Sequence, residues 1–268
     1  MDIGTIGGLV IAIGALYISL MMEGGEVGGF VNTPALLIVM GGTFGATLVA
    51  FPLPQVLGLP KLIAGAFVNS KNDCSGVINL LVELADKARR NGLLALEDEG
   101  ERLSDGFLKK GVQLLVDGTD PEALRNILDI EMSVMEHRNE AGYGILETMG
   151  GFAPTMGIIG TVMGLVNVLA SLDEPSSLGP AIAVAFIATF YGVATANIVW
   201  LPLASKLKKK SQQDSLLRHA MLEGLLSIQA GDNPRIVREK LEGFLDPNVR
   251  NKESNKKEEG MLSGPAES

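Results

Sequence analysis

No lysine or arginine precedes Lys61, and none lies between Ala141 and Ser205. A soluble chain of 268 residues would interleave charge with apolar residues throughout, whereas here all 22 Lys and Arg fall in two blocks, Lys61 to Arg138 and Lys206 to Lys257. That segregation says more than the net charge of −9, which by itself speaks only for solubility. Cys74 is the single cysteine, so an intrachain disulfide is excluded and metal-ligand spacing is absent. His137 and His219 are the only histidines, and no His/Cys/Asp/Glu cluster accompanies them. The chain also lacks a phosphate-binding loop, a nucleophile elbow and a paired-base arrangement. These absences argue against an enzyme, a metal centre or a cofactor, and no nucleic-acid partner is expected.

What is present is apolar sequence in long pieces, with a mean hydropathy of +0.28. Four uncharged stretches are long enough to cross a bilayer, which takes about 20 apolar residues. They are Ile3 to Met22, a part of Val27 to Pro60 that is most apolar from Ala35 to Phe51, Thr148 to Leu172, and a part of Pro175 to Ser205. In lipid the backbone must satisfy its own hydrogen bonds, so each is predicted to be a helix. The first is expected to be retained rather than cleaved, because it lacks a basic leader and its apolar run is long. The short loops after the first and third helices carry Glu23, Glu26, Asp173 and Glu174 but no base. By the positive-inside rule those loops face outward, and the N-terminus, the middle block and the C-terminus face the cytoplasm. The fold class is therefore all-α, an integral membrane protein with four transmembrane helices and a helical cytoplasmic domain. Its expected parts are a transmembrane hairpin (1–54), a cytoplasmic helical domain (55–146), a second transmembrane hairpin (147–205), a cytoplasmic helical extension (206–247) and a disordered tail (248–268).

Local signals refine this outline. Gly4, Gly7, Gly8 and Gly14 in the first helix, and Gly41, Gly42 and Gly45 in the second, are at spacings that let backbones approach, and packing within the chain is their expected use. The second helix is expected to start with Thr33 as cap and Pro34 at the first helical position, and to stop near Pro52-Leu53-Pro54. Val56 to Val68, with Lys61 as its only charge, is expected to lie along the membrane surface. Gly76 to Arg90 puts Val77, Leu80, Leu81 and Leu84 on one helical face, with Asn91-Gly92 as the stop. A second helix is expected over Leu93 to Val116, ending at Asp117-Gly118. Thr119-Asp120-Pro121-Glu122 combines cap, proline and acid as a start signal, and the pattern then runs almost unbroken into the third membrane helix. The fourth helix is likewise expected to continue past Trp200 and Lys206 to Lys210 until about Gly231, with a short amphipathic helix from Asp232-Asn233-Pro234 to about Leu245.

An ion path needs polar or ionisable groups at depth. The central parts of the four helices contain no Asp, Glu, Lys, Arg or His, and Glu147 lies only at the edge of the third. What remains are Ser19, Thr43, Thr47, Thr155, Thr161, Asn167, Thr189, Tyr191, Thr195 and Asn197. Either the chain conducts no protons, or a partner helix supplies the acid. Pro154 lies inside the third helix and Pro202 at the inner end of the fourth; each frees a carbonyl, as a static kink or as a hinge.

Several separated segments resemble the flagellar motor stator A subunits of the MotA/PomA family, in the MotA/TolQ/ExbB superfamily. They are Ala153 to Leu165, Gly179 to Phe186, Thr189-Phe190-Tyr191-Gly192, Pro202, and Arg89-Arg90-Asn91-Gly92-Leu93-Leu94-Ala95-Leu96-Glu97. The resemblance runs from the first helix to about residue 246. It implies a homopentamer in the bacterial inner membrane, around a dimer of a MotB/PomB-type B subunit that carries the mid-membrane Asp and a peptidoglycan anchor. Ion flow, of H+ or Na+, would turn the ring against the rotor switch protein FliG. Carried over by residue, Arg89 (or the adjacent Arg90) and Glu97 would be rotor contacts, Pro154 and Pro202 conformational couplers, and Thr161 and Thr189 the lining of the ion path. Each has a plainer reading: solvated charges, fixed kinks, and hydroxyls bonded to their own helix. Hydroxyl oxygens also suit a hard cation, and within the family threonines at these positions look more like the sodium-driven members without being confined to them, so the resemblance inclines the coupling ion slightly toward sodium. Two rivals stand beside this one. A TolQ/ExbB-type energiser would have three crossings rather than four, and a membrane scaffold would show no ion flux.

Overall fold

The computed structural model describes residues 2–68, 73–170, 175–245, 247 and 249–250, and no strand occurs among them. Helix α1 (Ile3–Met22) begins where the Asp2 carboxylate accepts the Gly4 amide at 2.9 Å. A 3-10 turn at Val27–Phe30 leads into α2 (Thr33–Ala50). The cap of α2 is Asn32 rather than Thr33: its side-chain oxygen accepts the Ala35 amide at 2.9 Å, which places Thr33 and Pro34 in the first turn. The amide side chain reaches the third amide beyond it and satisfies a donor the helix itself leaves free. As expected, α2 stops before Pro52, with Phe51 extended. Two short helices follow, α3 (Leu53–Leu57) and α4 (Leu59–Phe67).

The buried side of α2 is Ala35, Val39, Thr43 and Thr47, one residue in every four. On an ideal helix such a stripe drifts by about 40° at each step. A π turn at Leu37–Gly41 widens one turn and takes up part of that drift, so the stripe keeps facing its neighbours. Nothing in the local sequence announces this turn.

Helix α5 (Cys74–Asn91) ends at Gly92, whose φ of +81° is reached at little cost only without a side chain. It buries Ile78, Leu81, Leu84 and Ala85, while Val77 and Leu80 are half-buried, so the packed face is turned slightly from the expected one. The single helix expected over Leu93 to Val116 is instead a 3-10 turn (Leu93–Leu96), α6 (Glu97–Arg102) and α7 (Gly106–Val116). The break follows from extended Leu103 and from Asp105, whose carboxylate accepts the Leu108 amide at 2.9 Å and starts a new helix. Helix α8 (Pro121–Ala170) is continuous over 50 residues and is started by Asp120, which accepts the Glu122 amide at 3.0 Å. Helix α9 covers 175–229 and carries a π turn at Thr195–Trp200. Asn233 caps α10 (Pro234–Leu241), and a 3-10 turn follows at Glu242–Phe244. Of the tail, Val249 and Arg250 are helical, which departs from the expected disorder there; 251–268 lie outside the described residues, as do Asp173 and Glu174.

Among the described residues four helices are long and apolar enough to cross a membrane: α1, α2, and the apolar parts of α8 and α9. The chain forms two compact units, Met1–Ser70 with His137–Ser211, and Lys71–Glu136 with Gln212–Ser268. The first contains the apolar spans and a core that includes Ile145, Leu146, Met149, Ala153, Ala196, Trp200 and Leu203. In the second, α5 and α7 pack with Leu124, Leu128 and Met132 of α8, Met221, Leu222 and Leu225 of α9, and Val237 and Leu241 of α10. Gly224 and Gly111 admit Leu81 and Leu225 so closely that an added Cβ would lie 2.7 Å and 2.2 Å from them.

Candidate functional site

In the membrane unit α8 and α9 come close along a seam of small residues. Gly157, Gly160 and Gly164 on α8 face Ala185, Ala188 and Gly192 on α9. A Cβ at Gly157 would lie 2.9 Å from the Ala188 carbonyl oxygen, and one at Gly192 would lie 2.5 Å from that of Ala153. The two backbones therefore touch along antiparallel stripes with the same i, i+3, i+7 spacing, which only very small residues permit. Packing within the chain was the expected use of the α1 and α2 glycines, and this is where the structure differs. A Cβ at Gly7, Gly8, Gly14, Gly41 or Gly45 would meet nothing within 4 Å, and only Gly42 is pressed by another helix, through Met156.

Thr161 and Thr189 sit on this seam and meet across it. The Thr161 hydroxyl touches the Thr189 hydroxyl and lies 2.8 Å from the Ala185 carbonyl and 3.1 Å from that of Gly157. A hydroxyl has one proton. Thr161 can thus donate to only one carbonyl at a time while accepting from Thr189. Both threonines are half-buried. The arrangement gathers two hydroxyl and two carbonyl oxygens on one contact between helices. Oxygen donors of this kind suit hard cations. The same bonds also satisfy each hydroxyl inside lipid, the plainer use.

Tyr191, two residues on, shows a role the sequence reading did not assign. Its hydroxyl donates to the Phe30 carbonyl and accepts the Asn32 amide at 3.2 Å, while Phe30 stacks edge-on against Phe190 at 5.5 Å. These bonds tie α9 to the turn that starts α2. The contact spans about 160 positions of sequence, and only the presence of a tyrosine among the polar residues of the spans hinted at it.

The two prolines differ. Pro154 is half-buried in an uninterrupted α-helical run. Pro202 is exposed and follows the Thr195–Trp200 π turn after Leu201. Proline lacks a donor and its ring collides with the carbonyl four residues back; the wider π turn relieves that collision.

In the second unit Arg89 and Glu97 are exposed, and neither makes an ion pair among the described residues. Arg90, by contrast, is paired with Asp86 at 2.8 Å on its own helix. Glu97 lines a small cleft of about 160 Å³ with Gly100, Glu101, Lys109 and Gln113. Between the two free charges Leu94 is 72 % exposed, an apolar group on the same segment. Lys87 bonds Glu99 at 2.9 Å and pins α6 to α5; its ammonium holds the Glu99 carboxyl below the usual carboxylate range. No group of three or more His, Cys, Asp or Glu able to hold a metal occurs among the described residues.

Comparison with known proteins places this geometry in context. Residues 99–220 match the profile of the MotA/TolQ/ExbB proton channel family, and residues 6–92 match the motility protein A N-terminal profile. Chemotaxis protein PomA of Vibrio alginolyticus is 38% identical over 250 residues, covering 93% of this chain and 98% of that protein. Motility protein A of Bacillus subtilis is 38% identical over 246 residues, covering 91% of each. The solved structure of the flagellar MotAB stator complex from Bacillus subtilis has a chain that superposes with a TM-score of 0.87 at 38% identity, covering 92% of this chain and 97% of that one.

Proposed function

This chain belongs to the MotA/TolQ/ExbB proton channel family, as a flagellar stator A subunit of the MotA/PomA kind, and on that footing we propose that it pairs with a B subunit to turn ion flow into torque on the rotor. Members of this family are channel subunits rather than enzymes. One observation carries the reading of a two-chain ion path: the four spans hold no Asp, Glu, Lys, Arg or His in their central parts, yet they hold the Thr161–Thr189 hydroxyl pair. A proton or cation crossing a bilayer needs a charge to meet it there. In this reading the B subunit supplies an aspartate, and Thr161 and Thr189 line its approach. Several copies of the chain, as a pentamer, surround two B subunits in the bacterial inner membrane, with both termini inside. Arg89, Glu97 and the exposed Leu94 meet the rotor switch protein FliG, Arg90 being occupied by Asp86. Pro154 and Pro202 pass the motion of the spans to that surface.

The four spans, opening with a tight hairpin, favour this reading over a three-span energiser. The test is the swimming of a stator-less flagellated host given this chain and its B partner, with sodium varied at constant proton-motive force. Swimming that rises with sodium is the expected result. Swimming indifferent to sodium would keep the stator and make the proton the coupling ion. No swimming, with both chains in the membrane and a compatible rotor, would overturn the assignment.

A further inference from the structure

The start of α1 and the end of the membrane stretch of α9 are fastened at one place. Lys206 forms an ion pair with Asp2 and donates to the Thr5 hydroxyl at 2.7 Å. The Asp2 amide donates to the Phe67 carbonyl at 2.9 Å. Lys210, one turn beyond Lys206, donates to the Val68 carbonyl at 3.2 Å and to that of Gly65 at 3.3 Å. Two lysines thus hold α9 to the cap of α1 and to the C-terminal carbonyls of α4, where a cation also meets the negative end of the helix dipole. The pair is partly withdrawn from water, with the Lys206 side chain 34% and the Asp2 side chain 21% exposed. The Lys206 ammonium holds the Asp2 carboxyl below the usual carboxylate range.

Just ahead of this anchor the packing of the two helices leaves space between them. Pro202 and the π turn before it face α1 across a groove of about 330 Å³, lined on α1 by Gly4, Gly8 and Ala12 and on α9 by Asn197, Ile198 and Pro202. A Cβ at Gly8 would meet nothing within 4 Å. This part of α9, a π turn followed one residue later by a proline without an amide, therefore lies beside space to move into. Its far side is tied by charges that are costly to separate at a lipid boundary.

We propose that Asp2 and Lys206 are positioning residues that form a fixed pivot, about which the 195–202 segment of α9 closes into the Gly4–Gly8 groove during each coupling cycle. This rests on the reading of Pro202 as a coupler. The pivot transmits motion and does not touch the ion, so it governs torque at saturating ion and leaves the ion concentration for half-maximal speed unchanged.

The test measures torque, its ion dependence and membrane level for the full chain with its B partner. Lys206→Met lowers saturating torque about fivefold, the low end of typical couplings between sites, while Lys206→Arg retains it. Gly8→Leu fills the groove on an exposed helix face, leaves the pair intact, and also lowers torque. Wild-type torque in Lys206→Met or in Gly8→Leu overturns the pivot, as does a shift of the half-maximal ion concentration. Should Lys206→Met fail to insert, Gly8→Leu decides. Pro202→Ala separates the two levels. If it turns the motor normally, the hinge reading itself falls; if it is impaired while Gly8→Leu and Lys206→Met are not, only the pivot falls.

Discussion

A single proton sets what Thr161 can do. Its oxygen reaches two carbonyls and the Thr189 hydroxyl, so its bonds can be redistributed without moving a helix. Thr161→Ser keeps the oxygen and is expected to keep torque. Thr161→Val keeps the shape and removes the oxygen; motility assays should show at least about a tenfold higher ion requirement or lost torque at normal membrane level, as when a buried polar partner is left unpaired. Unchanged ion dependence in Thr161→Val would leave the hydroxyls with a packing role alone. Glu99 makes a pH prediction of known sign. Its folded carboxyl titrates below the unfolded one because of Lys87, so the pair adds stability above the unfolded value, near pH 4.3, and loses it as pH falls through the lower folded value. Melting temperatures of wild type and Glu99→Gln, followed by circular dichroism in detergent, should differ slightly at neutral pH and converge in acid; the pair is exposed, so the gap is small. The residue types were legible in the sequence. That Thr161 meets Thr189, and that Arg89 is free while Arg90 is occupied, was not, because these depend on which neighbours each side chain finds.

Elements in this chain are bounded by short-range chemistry and shaped by long-range contact. Caps and stops act over three or four residues, so Asn91-Gly92, the Asp120 start and the Asn233-Pro234 start all read correctly. The Leu103–Asp105 break did not, since its cue, Asp105, sits in a stretch whose hydrophobic period otherwise continues. The π turns in α2 and α9 were also unreadable, because they arise from packing stripes and from Pro202 against its neighbours. The α8–α9 seam gives a direct test. Gly157→Ala and Gly192→Ala each drive a methyl into rigid backbone. Overpacking of this kind costs about 1–3 kcal/mol, seen as lower membrane level and a lower melting temperature of the assembled complex. Gly151→Ala, in open space on the same helix, should do neither and serves as the control.

Across the whole molecule, charge is partitioned so that lipid and water each receive a matching surface. The charge-poor spans lie in one compact unit, and the free charges of Arg89 and Glu97 lie in the other. Arg89→Glu or Glu97→Lys changes no bond among the described residues, so membrane assembly, checked by co-purification with the B subunit, should be normal. Torque should fall, and a compensating charge reversal on the rotor should recover it. A variant that fails to assemble would place these residues in packing instead.

Span number, helix type, the expected orientation and the absence of Asp, Glu, Lys, Arg and His from the central parts of the spans are all carried by composition along the chain, because bilayer thickness and the cost of charge in lipid act on any sequence alike. Five particulars came only from the tertiary structure: the glycine seam on α8 and α9 rather than on α1, the Thr161–Thr189 contact, the Tyr191 tie to α2, the π turn before Pro202, and the Asp2–Lys206 anchor across 204 positions. Each is a choice of partner among chemically equivalent residues. A glycine on α1 and one on α8 are identical in sequence terms, and only the packing of the folded chain determines which of them touches another helix.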